Sequence, residues 1–275
     1  MLTWQSPHGR ALPEIGRRTL IMGVLNTTPD SFSDGGKLPT LDAVVARAAA
    51  MVAEGADVLD VGGESTRPGA QAVSVEEELQ RVVPAIRALR QALPAVALSI
   101  DTYKAAVAEA AIEAGADIIN DVWGLLHGMS PSERAAWRAV ALGKKAPSSS
   151  LAVSPMALVA VKCRCPVVIM HNRLDRDYED FLSDVLIDLR TSLAVAAAAG
   201  VPESQLWIDP GFGFAKDVPQ NLAVVRELAR VVALGRPVLV GTSRKSTLGA
   251  VLGTTVDDRL EGSGATVVWA IQQGC

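Results

Sequence analysis

One alternation limits this chain more than any other feature. Seven times a short apolar run ends in a polar residue, and a Gly, Pro or capping residue then opens a helix-like stretch. The runs are TLIMGVLN, ADVLDVGG, VALSID, ADIIND, PVVIMH, LWIDPG and PVLVGTSRK. They are rich in Val and Ile and lack period-2 polarity, as strands buried on both faces do. Between them, helical spacing predicts helices over 40–54, 76–92, 102–114, 178–199, 219–233 and 262–273. Thr40, Ser74 and Thr102 stand where N-caps belong, and Gly55, Gly115, Gly200 and Gly274 where helices stop. Strands and helices in strict alternation predict an α/β fold with parallel strands, a TIM (β/α)8 barrel in a single domain over 1–275. The C-terminal strand ends of such a fold share one side, so Asn26, Glu64, Asp101, Asn120, Asp121, His171, Asp209 and Lys245 are expected to converge there.

Two places break the rhythm. Residues 122–165 form an enlarged connection between the fourth and fifth strands; Arg134–Leu142 reads as a helix, 144–150 as a loop and Leu151–Val161 as a second helix. After Gln272-Gln273-Gly274-Cys275 no eighth strand or final helix follows, so we expect the first and seventh strands to carry open edges. Residues 1–18 read as a bottom-capping segment, with a hairpin over 2–12 around Ser6-Pro7-His8-Gly9.

Composition narrows the function. A net charge of −4 without a basic block gives no reason to expect nucleic acid. No apolar run reaches membrane-spanning length, so no membrane partner is expected. Three cysteines, Cys163, Cys165 and Cys275, form neither a disulfide framework nor a zinc spacing. A cytoplasmic protein is the expectation.

Several segments offer chemistry. Asn26 presents a neutral oxygen to a hard cation, and the Asn/Thr/Asp/Gly loop after it offers donors to phosphate, although such a loop also reads as an ordinary Asx turn. Thr66-Arg67-Pro68 suits an anion or aromatic acid, against the alternative of a solvated surface charge at Arg67. Asp101, Asn120 and Asp209 together suit a flat heterocycle displaying several N–H donors. Taken singly, Asp101 could cap a helix at 102, and Asp209 could fix the turn at Pro210-Gly211. Ser246 falls at a helix N-terminus suited to an anion. Lys245 could hydrogen-bond a ligand carbonyl or form a Schiff base. Met170 reads as an apolar wall, and His171 as a satisfied polar residue.

Seven stretches in order, GVLNTTPDSFSDGG, DVGGESTRPGA, SIDTYK, INDVWG, VVIMHNR, IDPGFGFAK and GTSRKS, resemble the dihydropteroate synthase family over nearly the whole chain. The resemblance implies a (β/α)8 barrel that joins 6-hydroxymethyl-7,8-dihydropterin diphosphate to p-aminobenzoate and releases diphosphate, usually with Mg²⁺. It implies a pterin held by Asp101, Asn120, Asp209 and Lys245 between Met170 and Phe214. The p-aminobenzoate site would comprise Phe32, Thr66, Arg67, Pro68, Phe214 and Ser246. Asn26, Thr66, Asp101 and Lys245 would be the catalytic set, with Asn26 placing Mg²⁺. A homodimer is implied if the family's last helix is present. The family's eighth strand, with an Arg and a His that meet diphosphate, is missing from this sequence. Three other readings stay open: a methyltetrahydrofolate methyltransferase-like barrel, a Schiff-base aldolase using Lys245, and a non-catalytic pterin-binding paralogue.

Overall fold

The structure is a computed structural model that describes residues 4–28, 40–65, 71–148 and 150–275. Six strands lie in one sheet in chain order: β1 (Met22–Asn26), β2 (Val58–Gly62), β3 (Ala97–Asp101), β4 (Ile118–Asp121), β5 (Val167–Met170) and β6 (Leu206–Asp209). The first four pair in parallel, and the helices between strands give the α/β class. The sheet is open. At its first edge β1 is half-exposed, and Val24 keeps 55% of its surface accessible.

The expected seventh strand is reduced to one bridged residue, Val238 beside Ile208. Ile208 donates to the Pro237 carbonyl and accepts from Leu239, and 237–241 otherwise runs without ladder bonds among the described residues. A segment paired along one side alone has half the hydrogen bonds that make an interior strand regular.

By internal packing the chain divides into two compact units. One comprises Met1–Asp121, Pro155–Val167 and Ala199–Gln205; the other comprises Val122–Ser154, Val168–Ala198 and Leu206–Cys275.

In the first unit, α1 (Leu41–Ala53), α2 (Val75–Ala92) and α3 (Ala105–Ala114) follow β1, β2 and β3. Thr40 and Ser74 cap α1 and α2 through their hydroxyls, as their positions predict. Thr102 does not cap. Helix α3 starts three residues later, and the Thr102 hydroxyl accepts from the Lys104 N–H within the turn that precedes it. Buried Leu59, Val61, Leu98, Ile100, Val82, Ile86, Leu89, Val107 and Ile112 build the core between sheet and helices.

Asp117, fully buried just before β4, gathers the N-terminal segment. It accepts from the Ser6 hydroxyl at 2.6 Å and from the Arg10 guanidinium at 3.1 Å. Its other oxygen accepts from Arg90 at 2.6 Å and from the Leu98 N–H at 3.0 Å. Gln5 reaches farther along the chain, donating its N–H to the Gln205 side chain at 3.1 Å. The turn at Ser6–Gly9 closes with a 3.1 Å backbone bond. No strand pairing flanks it among the described residues, so the expected hairpin is absent: side-chain bonds to Asp117 tie this segment down instead.

In the second unit, α4 (Pro131–Ala141) begins three residues before the expected Arg134. Ser130 and Glu133 form a capping box with Pro131 in the first turn. Its Trp137 is buried and donates to the Ala152 carbonyl at 2.8 Å. Helix α6 (Phe181–Ala199) follows β5. The expected helix over 219–233 is two pieces, α7 (Val218–Arg226) and α8 (Leu228–Val232), broken at Glu227. Two further helices, α9 (Ser246–Leu252) and α10 (Leu260–Gln272), complete the unit. Helix α5 (Pro155–Cys163) belongs to the first unit; it starts four residues after the expected Leu151 and runs two residues past the expected Val161.

Candidate active site

The parallel register of the first unit sets candidate residues side by side. Asn26 pairs with Gly62, Gly62 with Asp101, and Asp101 with Asn120, one row across the ends of four strands. Alternation along a strand puts all of these, and Asp60 and Ser99 two residues earlier, on one face of the sheet. Gly62 leaves room in the row. A Cβ there would stand 3.3 Å from Asn26 Oδ1 and 3.5 Å from Asp101 Oδ2, so an amide oxygen and a carboxylate oxygen flank it.

Below the row lies a group that the sequence reading missed. Asp60 is buried in mid-strand, and Asn120 donates its Nδ2 to Asp60 Oδ2 at 2.9 Å. Burial raises the Asp60 carboxyl above the ordinary Asp range, opposed by the nearby Ser99 hydroxyl and the Asn120 amide. The signal was an acid inside the apolar run VLDVG, where a buried charge needs a partner.

Glu64, at the end of the second run, is fastened in place. Lys104 donates to Glu64 and to buried Glu78, each at 2.5 Å, and the Tyr103 hydroxyl donates to Glu64 at 3.2 Å. Burial pulls the Lys104 ammonium down, yet hydrogen bonds to the two carboxylates hold it above its usual value. Asp101 is not a helix cap, since α3 starts at Ala105 behind Lys104. Phe32, Thr66, Arg67 and Pro68 lie outside the described residues.

The second unit carries the other candidates. Met170 is buried at the end of β5, and His171 beside it donates its backbone N–H to the Asp209 carbonyl at 2.8 Å. The Asp209 side chain does fix the following turn, because its Oδ1 accepts from the Gly211 N–H at 2.6 Å. Burial lifts the Asp209 carboxyl above the ordinary range, while the Gly211 N–H and the charges of Lys245 and Lys216 oppose it. Lys245 donates to the Phe212 carbonyl at 2.6 Å, and its Nζ stands 4.3 Å from the centre of the Phe214 ring. Asp209, Phe214 and Lys245 thus belong to one constellation. Ser246 is the first residue of α9, as its place in the sequence predicts.

His171 and Lys216 form a second group. The sequence reading gave His171 no more than a structural part and left Lys216 without one. The Lys216 ammonium is buried and donates to His171 Nδ1 at 2.8 Å, to the Gly211 carbonyl at 2.9 Å and to the Phe214 carbonyl at 3.0 Å. With Nδ1 accepting, the Nε2–H of His171 faces Asp188 Oδ2 at 3.3 Å. Arg173 donates to the same Asp188 oxygen at 2.7 Å and stacks over the Tyr178 ring at 4.3 Å. Burial, reinforced by the Lys216 charge, pushes the His171 imidazole down to about 4. Burial likewise pushes the Lys216 ammonium down to about 7.

Among the described residues no cluster of three or more His, Cys, Asp or Glu side chains forms a metal-binding group. No helix among them is long and apolar enough to cross a membrane.

The family model for pterin binding enzymes matches residues 22–275. The dihydropteroate synthase of Bacillus subtilis is 47% identical over 258 residues, which cover 94% of this chain and 81% of that protein. The dihydropteroate synthase of Clostridium difficile, solved in the presence of pteroic acid, superposes with a TM-score of 0.82 at 42% identity, covering 96% of this chain and 90% of that one. That of Xanthomonas albilineans, solved with 4-aminobenzoic acid, gives a TM-score of 0.80 at 41% identity, covering 94% and 86%. A family match over all but the first 21 residues, with identity of this order across nearly the whole length, makes the chain a member of the pterin binding enzymes, in the dihydropteroate synthase family.

Proposed function

We infer that this protein is a transferase that condenses 6-hydroxymethyl-7,8-dihydropterin diphosphate with p-aminobenzoate to give 7,8-dihydropteroate and diphosphate, a step of folate biosynthesis. The observation that carries the reading is the polar row Asn26–Gly62–Asp101–Asn120, in a chain 47% identical to a dihydropteroate synthase.

Asp101, Asn120, Asp209, Lys245, Met170 and Phe214 serve the pterin. Carboxylates accept the ring's N–H groups, Lys245 donates to its carbonyl, and Met170 and Phe214 supply apolar surface. Phe32, Thr66, Arg67, Pro68 and Ser246 serve p-aminobenzoate, whose carboxylate suits the N–H groups at the start of α9. In the reaction the C–O bond to diphosphate breaks and the arylamine nitrogen forms the C–N bond, then loses a proton. The amine is neutral at pH 7 and needs no strong base. Asn26, Thr66, Asp101 and Lys245 act by orienting the substrates and stabilising charge as diphosphate leaves.

Mg²⁺ fits the residues present. The oxygens of Asn26 and Asp101 on either side of Gly62 are hard donors, and an ion held by one or two protein oxygens takes its remaining ligands from phosphate and water. When bound, it would neutralise charge on the departing diphosphate. Free Cys163, Cys165 and Cys275 suit a reducing compartment, in keeping with a cytoplasmic location. The exposed apolar residues Leu252, Val256, Leu260 and Val268 support a homodimer.

The test is diphosphate release by the purified chain with dihydropterin diphosphate, p-aminobenzoate and Mg²⁺. Release that depends on p-aminobenzoate bears the reading out. If the pterin binds and no release follows, a binding-only role replaces it.

A further inference from the structure

The turn after β6 is shaped from inside by a lysine that has no place among the substrate-binding residues. Between Asp209 and Lys216 the chain turns, and Gly211 has a φ of 69°. There a Cβ would come within 2.0 Å of the His171 carbonyl oxygen, so the turn is pressed against the end of β5. The Gly211 and Phe214 carbonyls point inward onto Lys216 Nζ, together with Nδ1 of His171. Three acceptors face one nitrogen. An ammonium has three hydrogens to give, while a neutral amine has two, so with Nδ1 as acceptor only the charged form satisfies the set. Lys216 is 4% exposed, which places these bonds away from water.

We propose that Lys216 is a positioning residue for the pterin: its three hydrogen bonds hold the Asp209–Lys216 turn in the shape that presents Asp209 and Phe214. The proposal rests on the synthase reading for its ligand, and on the geometry of the second unit for the rest. Lys216 gives its hydrogen bonds to the protein's own acceptors and acts through the backbone that carries two pterin residues.

Protonation gives this role a readout. The groups facing Lys216 are His171 at the end of β5, Arg173 and Tyr178 in the following loop, Asp188 on α6, Asp209 at the end of β6, and Lys245 before α9. His171 is already neutral above about 4, and burial carries Tyr178 up to about 12. Burial pulls Arg173 down, but the Asp188 and Asp184 carboxylates hold it above its usual value. Burial raises Asp209, and its ionisation as pH rises improves its acceptance of pterin N–H groups. Lys216 works in the opposite sense. As pH rises through about 7 it loses a donor, and the turn loosens.

The experiment measures the affinity of the intact chain for 6-hydroxymethyl-7,8-dihydropterin, which carries no phosphate to titrate, from about pH 6 to about pH 8.5. Affinity is expected to fall about fivefold or more across that range. In Lys216→Met it is expected to be about tenfold weaker than wild type at the acid end and no longer to fall with pH, while KM for p-aminobenzoate stays within about twofold. Wild-type affinity that is flat or rises with pH overturns the proposal, and this arm needs no folded variant. A variant that keeps the wild-type pH dependence overturns it equally. Turnover separates this idea from the reading beneath it. Dihydropteroate formation with a flat affinity profile removes the role of Lys216 and keeps the synthase. A falling profile without turnover keeps the role and removes the synthase, and no pterin binding at all removes both.

Discussion

Asn120 donates its side-chain amide to Asp60 across the intervening strand β3, at 2.9 Å. The bond fixes which way the amide faces: with Nδ2 committed to Asp60, the Asn120 oxygen and its second N–H remain for a ligand. Replacing Asp60 by Ala removes that constraint and leaves a part-buried donor short of its partner, at a cost of about 1 kcal/mol. Calorimetry with a dihydropterin should show affinity lower by about tenfold, with p-aminobenzoate binding unchanged. Wild-type pterin affinity in the Asp60→Ala protein would rule out an orienting role.

His171 ties stability to acid pH. Its ordinary value is 6.5 and burial in the fold takes it to about 4. A depressed histidine contributes stability that is present above 6.5 and lost as pH falls towards 4, because the unfolded chain takes up the proton first. The gap corresponds to about 3 kcal/mol. Denaturant titrations between these pH values should show wild-type stability falling more steeply than that of His171→Gln. Parallel slopes would remove His171 from the acid response.

Gly211 should tolerate no side chain. Gly211→Ala combines a left-handed backbone with a Cβ 2.0 Å from the His171 oxygen, and should cost more than about 3 kcal/mol. Gly143 is the control. Its φ is 68° and nothing lies within 4 Å of an added Cβ, so Gly143→Ala should cost about 1 kcal/mol. Equal losses in melting temperature would show that backbone strain alone governs both sites.

Ser130 caps α4 reciprocally with Glu133. Ser130→Ala should lower stability by about 1 kcal/mol and leave turnover intact. Thermal unfolding and the diphosphate assay check the two halves separately, and a loss of activity at full stability would assign the enlarged 122–165 connection a part in the reaction.

Sulfonamides should compete with p-aminobenzoate, because the Thr66-Arg67-Pro68 motif is present without insertion. Competition raises KM for p-aminobenzoate and leaves kcat alone. A rate that does not change up to about millimolar drug would end that expectation.

The sequence made the strand ends legible because each buried run stops where a polar residue is tolerable, and the ladder confirms Asn26, Asp101 and Asn120 in one row. Helix starts were legible where a hydroxyl caps, at Thr40 and Ser74, and misleading at Thr102, whose hydroxyl serves a turn instead. The last strand was misjudged because an apolar run shows the capacity to pair, not the presence of two neighbours. The break at Glu227 left no trace in the periodicity. Asp60 and Lys216 escaped for a different reason: their partners, Asn120 and His171, are 60 and 45 residues away in the chain. Only the fold brings them into hydrogen-bond range.

The binding of Gln5 to Gln205 also sets an order in time. A chain made at about 5–20 residues per second takes about 10–40 s to travel from one partner to the other. Throughout that interval the N-terminal residues have been synthesised and their anchor has not. Asp117, made about halfway through, can catch Ser6 and Arg10 first. The segment around Gln5 should therefore complete its contacts only once Gln205 has been made, and a nascent chain stalled before Gln205 should leave that segment more open to proteases than the finished chain does.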